Sequence, residues 1–97
     1  MTEEVTVTHN PDQKRYEIRA GDTLAGYAEY MLSEGLITFT HTEVDPAFEG
    51  QGLGSKLVRG ALDDVRGLGG RKVLPLCPFV KSWIQKHPEY GDLVYGS

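Results

Sequence analysis

Apolar and polar residues alternate along the first half of the chain, and the period then changes. Residues 5–8 alternate as a half-buried strand does. "HNPD", residues 9–12, reads as a turn in which proline sets the reversal. Residues 14–19 carry Tyr16 and Ile18 two positions apart and predict a second strand, and "AGD" at 20–22 turns the chain again. The aromatic and apolar run 23–32 predicts a third strand, "SEG" at 33–35 closes a hairpin, and the β-branched run 36–44 predicts a fourth. Four strands joined by short turns predict an antiparallel meander.

From residue 53 the period is helical. Leu53, Leu57, Val58, Ala61, Leu62, Val65 and Leu68 share one face, and Lys56, Arg59, Asp63 and Asp64 fall largely on the other. "GLGG", residues 67–70, stops this helix. Residues 72–76 form a short apolar strand, which a helical crossover of this length places parallel to the fourth. Pro78 suits the first turn of a second helix, whose apolar stripe is Phe79, Val80, Trp83, Ile84 and His87; Pro88 ends it, and residues 90–96 read as a short edge strand. The fold class is α+β with a mixed sheet: a four-strand meander, then a βαβ unit and a second helix.

Composition narrows the class. The 97 residues suggest one domain over 1–97, with 39% hydrophobic and 25% charged residues as in ordinary globular chains. A net charge of −4 argues against a general nucleic-acid binder, while leaving room for a local cationic patch. The lone cysteine, Cys77, excludes a disulfide within the chain and suits a reducing compartment. "MTEEVTVTHN" lacks the basic flank and apolar run of a signal peptide, and no run reaches membrane-spanning length. A cytoplasmic location with no membrane partner is expected.

The chemistry concentrates between the fourth strand and the first helix. Gly50, Gly52 and Gly54 alternate with Gln51 and Leu53, ahead of a helix whose first N–H groups lack partners and favour an anion. Ser55 adds a hydroxyl and Lys56 a charge. A tight turn is the other reading, and one glycine would satisfy it. The dinucleotide fingerprint G-x-G-x-x-G does not fit the spacing G-x-G-x-G, and the nucleotide P-loop does not fit because Ser55 separates Gly54 from Lys56.

"EGQGLGSKLV" after "TFTHTEV" resembles the acetyl-coenzyme A signature of the GCN-five-related N-acetyltransferases (GNAT), Gln/Arg-x-x-Gly-x-Gly/Ala. Gly52 and Gly54 take its glycine places, and Glu49 stands where Gln or Arg is usual. The order "HTEV … GxGxGSKLV … CPF … HPEY", spanning residues 39–90, is similar to the small Yjdj-type branch. The resemblance implies a minimal GNAT fold in which the fourth and fifth strands splay apart. It implies acetyl-coenzyme A as cofactor and no metal. The pantetheine arm would bond the open backbone near Glu43, Val44 and Asp45, and the diphosphate would rest on Gly50, Gln51, Gly52, Leu53, Gly54 and Ser55. Lys56 or Arg59 would meet the nucleotide phosphates, or else form a solvated helix face.

Acetyl transfer to an amine requires loss of the amine proton, a stabilised carbonyl oxygen and an accommodated thiolate. His41 and Glu43, two apart on a strand, share a face, and either suits a general base, directly or through water. The plainer reading is a cross-strand polar pair. Cys77, where the fifth strand meets the second helix, either accepts the acetyl group, lines the pocket or packs inertly. The tyrosine that serves typical members as acid would fall at Ile84, beside Trp83, so the usual acid is missing; Tyr90 lies beyond the helix, and Trp83 and Phe79 read as core. The helical segment that larger members insert between the first strands is also absent. The acceptor site is therefore expected to be open, or completed by another subunit, and to suit a protein or peptide amine or an exposed polyamine. The implied function is N-acetyl transfer to an unidentified amine. The alternatives are a coenzyme A-binding module with little transferase activity, and an interaction domain whose glycine loop is only a turn.

Overall fold

Short turns join β1 (Val5–Asn10), β2 (Arg15–Ala20), β3 (Thr23–Ser33) and β4 (Leu36–Val44) into the antiparallel meander that the alternation predicts. Helix α1 (Leu53–Leu68) crosses over to β5 (Lys72–Pro75), which pairs parallel to β4, and α2 (Pro78–Lys86) follows. The five strands lie in sequence order. This computed structural model describes residues 4–96; residues 1–3 and 97 of the range assigned to one domain lie outside them.

Both helices cover one face of the sheet. From α1, Leu53, Leu57, Val58, Ala61, Leu62 and Val65 enter a core with Tyr16, Ile18, Ala28, Tyr30, Ile37 and Phe39, and Val80, Trp83 and Ile84 of α2 join the same cluster. Each fully buried large aliphatic side chain contributes about 1.5–3 kcal/mol. Leu68, expected on the apolar face, is exposed: it is the last helical residue, and Gly69 turns the chain away at φ 70°. The coda also differs from expectation. Helix α2 ends at Lys86, Pro88 opens a 3-10 helix over Pro88–Leu93, and a single bridge from Val94 to Val73 replaces the edge strand. Among the described residues no helix is long and apolar enough to cross a membrane.

The opposite face of the sheet carries charge. Glu17 is 4% exposed and accepts hydrogen bonds from Arg15 at 2.8 Å, Arg19 at 3.1 Å and Asn10 at 3.1 Å. Burial pushes its carboxyl up, but these bonds from Arg15, Asn10 and Arg19 together outweigh it and hold the group below its ordinary range. The Arg15 guanidinium also sits 4.8 Å from the centre of the Tyr27 ring.

Candidate active site

The prolines around β5 determine where it stops. The β4–β5 ladder runs from Leu36–Lys72 to Phe39–Pro75, and its last link is the Cys77 N–H donating to the Phe39 carbonyl at 2.9 Å. Pro75 has no N–H to extend the ladder, Leu76 N–H turns back to the Leu74 carbonyl at 3.1 Å, and Pro78 starts α2. Strand β4 continues through residues 40–44 with β3 on one side and, among the described residues, no strand on the other. Asp45 N–H donates to the Ala25 carbonyl of β3 at 2.7 Å. By the alternation of an antiparallel ladder, Thr42 and Val44 therefore turn their main-chain groups to the open side.

A bulge marks the place where β5 leaves. Tyr30 pairs with Phe39 but Glu29 pairs with His41, so Thr40 is an extra residue in β4. In an unbroken ladder that paired Thr40 as well, His41 and Glu43 would share the face of Phe39. With the bulge Thr42 faces the helices, opposite Ala28, and Cys77 Sγ lies 3.4 Å from its Oγ1. His41 and Glu43 stand on the open face, both exposed. The residues assigned to chemistry thus separate: Cys77 is buried on one side of the sheet, and His41 and Glu43 lie on the other.

Glu43 has a partner that the sequence did not disclose. Tyr27 Oη donates to its Oε2 at 2.6 Å, while His41 Nε2 is 4.0 Å from the same oxygen. The bond to Glu43, with burial and the neighbouring charges of Glu43 and Glu29, raises the Tyr27 phenol above its ordinary value. Counting back from the Ser33–Leu36 pair puts Tyr27 opposite Thr42. Only the bulge shifts it to Glu43.

The loop after β4 explains its glycines individually. Gly50 and Gly52 have φ of 84° and 73°, which other residues adopt only with strain, and Gly52 caps α1. Gly54 has no such φ, but a Cβ there would lie 2.8 Å from Phe79 Cζ. Turn geometry and close packing therefore account for all three, which corrects the expectation that one glycine suffices for the turn. The amides are nonetheless free: among the described residues no acceptor meets the N–H groups of residues 50–55, and Lys56 N–H, bonded to the Gly52 carbonyl at 3.2 Å, is the first to close. A groove of about 440 Å³ runs from Thr42 and Val44 past Gly52 and Gly54 to Ser55.

Several expectations change here. Phe79, expected in the core, is 45% exposed and forms a wall of this groove, whereas Trp83 is buried as expected and donates its indole N–H to Ser55 Oγ at 2.8 Å. Asp45, expected among the cofactor contacts, is engaged within the protein: its Oδ1 accepts from Ala47 N–H and its carbonyl from Phe48 N–H, forming the 3-10 turn Pro46–Phe48. Arg59 is turned along α1 to the Tyr90 hydroxyl at 3.3 Å and lies over the Trp83 ring, while Lys56 is exposed. Ile84 is buried, and the Tyr90 hydroxyl donates to Asp63 at 2.7 Å.

A strand pair that opens beside a loop of unpartnered amides is what the resemblance implies. Residues 15–93 match the family model described as GCN5-related N-acetyl-transferase. The chain belongs to this family. A GCN5-like protein from Staphylococcus aureus, solved by NMR, superimposes with a TM-score of 0.71 at 22% identity, covering 95% of this chain and 89% of that one. A GNAT-family protein from Desulfovibrio desulfuricans gives a TM-score of 0.55 at 25% identity, covering 77% of this chain and 52% of that one. The first likeness is one of fold, the five-stranded mixed sheet with its helices on one face. No curated protein matches the chain.

Proposed function

We propose that the protein is an acetyl-coenzyme A-dependent N-acetyltransferase acting on an amine. The observation that carries this reading is the open edge of β4 at Thr42 and Val44, continuous with the unpartnered amides of residues 50–55. An extended amide-bearing arm finds main-chain donors and acceptors along that edge. A diphosphate finds several N–H groups and the positive end of the α1 dipole. The cofactor, when bound, supplies the activated acetyl thioester. Val44, Gly50, Gln51, Gly52, Leu53, Gly54 and Ser55 hold it, with the exposed Lys56 beside the phosphates.

Glu43 takes the amine proton from the open face, directly or through water, with its carboxylate oriented by Tyr27 and flanked by His41. Cys77 lines the end of the gap from the helix side, where its N–H and thiol meet Phe39 and Thr42. A second reading, a coenzyme A-binding module with little transfer activity, is favoured by one observation: at the position where the resemblance implies a tyrosine acid stands Ile84, buried in the core.

Calorimetric titration with coenzyme A tests the binding step, and micromolar affinity is expected. No heat at millimolar ligand sinks both readings. Turnover across a panel of amines then separates them, with Glu43→Gln expected to lose 10²- to 10⁴-fold, the size of a general-base effect. Unchanged rates in Cys77→Ala would remove the thiol from the chemistry.

A further inference from the structure

Ser55 lines the groove from the first turn of α1, and its hydroxyl has two capacities, to accept and to donate. The indole N–H of Trp83 engages one of the oxygen's two lone pairs, at 2.8 Å. Trp83 is itself held firmly. It is 5% exposed, the His87 ring stacks on it at 3.8 Å, Tyr90 meets it edge-on at 5.1 Å, and the Arg59 guanidinium lies 5.4 Å from its ring. A hydroxyl that accepts from a fixed indole keeps its one proton and a second lone pair, and the proton is available to donate. Its free proton suits an oxygen that only accepts, such as a phosphate, better than an amide or ether.

We infer that Trp83 is a positioning residue for the phosphate end of the cofactor, fixing the Ser55 hydroxyl as a donor into the groove. The inference rests on the reading of the groove as a coenzyme A site and adds a member from α2 that touches no ligand. It also wires the chain's single tryptophan to the site. The single indole N–H resonance therefore reports on what Ser55 binds.

The test is a ¹H–¹⁵N titration of the full chain with coenzyme A and, separately, with phosphate-free pantetheine, a method that measures weak and tight binding alike. With coenzyme A the indole resonance should shift together with the loop amides; with pantetheine the amides of β4 should shift and the indole stay in place. Ser55→Ala should abolish the indole response and weaken coenzyme A binding by about tenfold, the size of a hydrogen bond to a charged group. Trp83→Phe, checked for folding by its amide spectrum, should weaken coenzyme A by about fivefold while leaving pantetheine unchanged. The double variant should bind no worse than Ser55→Ala. An indole that ignores coenzyme A while the loop amides respond overturns the inference alone. So does an equal loss for both ligands in Trp83→Phe, which would mark a merely structural role. If Trp83→Phe unfolds, the indole response of the parent chain and of Ser55→Ala still decides. No response to coenzyme A anywhere overturns the groove reading and this inference with it.

Discussion

Strand β4 contains two regions that behave as opposites. Residues 36–39 are paired on both sides, and Ile37 and Phe39 are sealed beneath the helices. Residues 40–44, "THTEV", are paired on one side only and carry polar side chains on both faces. The first stretch holds the molecule together. The second leaves part of a hydrogen-bond ladder unfinished, and that unfinished edge is what an extended ligand can complete. Stability and binding capacity are thus separated along one strand, with the bulge at Thr40 between them.

The largest effect should come from the sealed half. Phe39→Ala should cost about 3–5 kcal/mol in urea unfolding, as truncation of a fully buried aromatic does. A loss below about 1 kcal/mol, well under what a buried aromatic contributes, would break the comparison at its firmer end. Gly52→Ala, at the loop that the open half leads into, should cost about 1–2 kcal/mol, because a side chain is forced into the left-handed region. It should also weaken coenzyme A in calorimetry. Val44→Pro removes an N–H that faces the gap while leaving the β3 ladder intact, so its stability cost should stay within about 1 kcal/mol. Its coenzyme A affinity should nevertheless fall about fivefold, the size of one hydrogen bond. Equal losses in stability for Val44→Pro and Glu43→Pro would show that both edges of this half are in use.

The smallest effect sharpens the open half by pH. Tyr27 holds its proton more tightly folded than unfolded, first because it donates to Glu43. That contact's contribution to stability is complete below the ordinary phenol range and is lost as pH rises through the raised folded value. In Glu43→Gln the Tyr27 ring, followed by labelled-tyrosine NMR, should titrate at lower pH than in the parent. An unchanged titration would mean that the bond is not kept in solution.

Much of this was legible in the residues. The strand alternation, the parallel return of β5 and the stripe Leu53–Leu57–Val58–Ala61–Leu62–Val65 follow from period and turn chemistry, because each is a local pattern with one buried face. Phe79 was misread because its place in the apolar stripe of α2 says nothing about Gly54, a neighbour distant in sequence whose missing side chain makes room for the ring. Leu68 was misread because the face of a helix loses its meaning in the final turn, where the chain departs. The bulge left no trace at all. A register slip is visible in sequence when it breaks an alternation, and "THTE" has none to break. The pairing of Tyr27 with Glu43 and the separation of His41 and Glu43 from Cys77 were hidden for that reason.

Thr40 makes the spacing of the chain, and not only its letters, part of the site. A strand read from the Phe39 end has a phase, and one supernumerary residue advances it by half a cycle. Excising that threonine would close the bulge into a regular ladder and leave His41 and Glu43 on the open face and Thr42 opposite Ala28; flattening the bulge with the threonine kept would swing the histidine and the glutamate inward. What this stretch carries is a count of residues as much as their identity, and no exchange of one side chain for another alters that count.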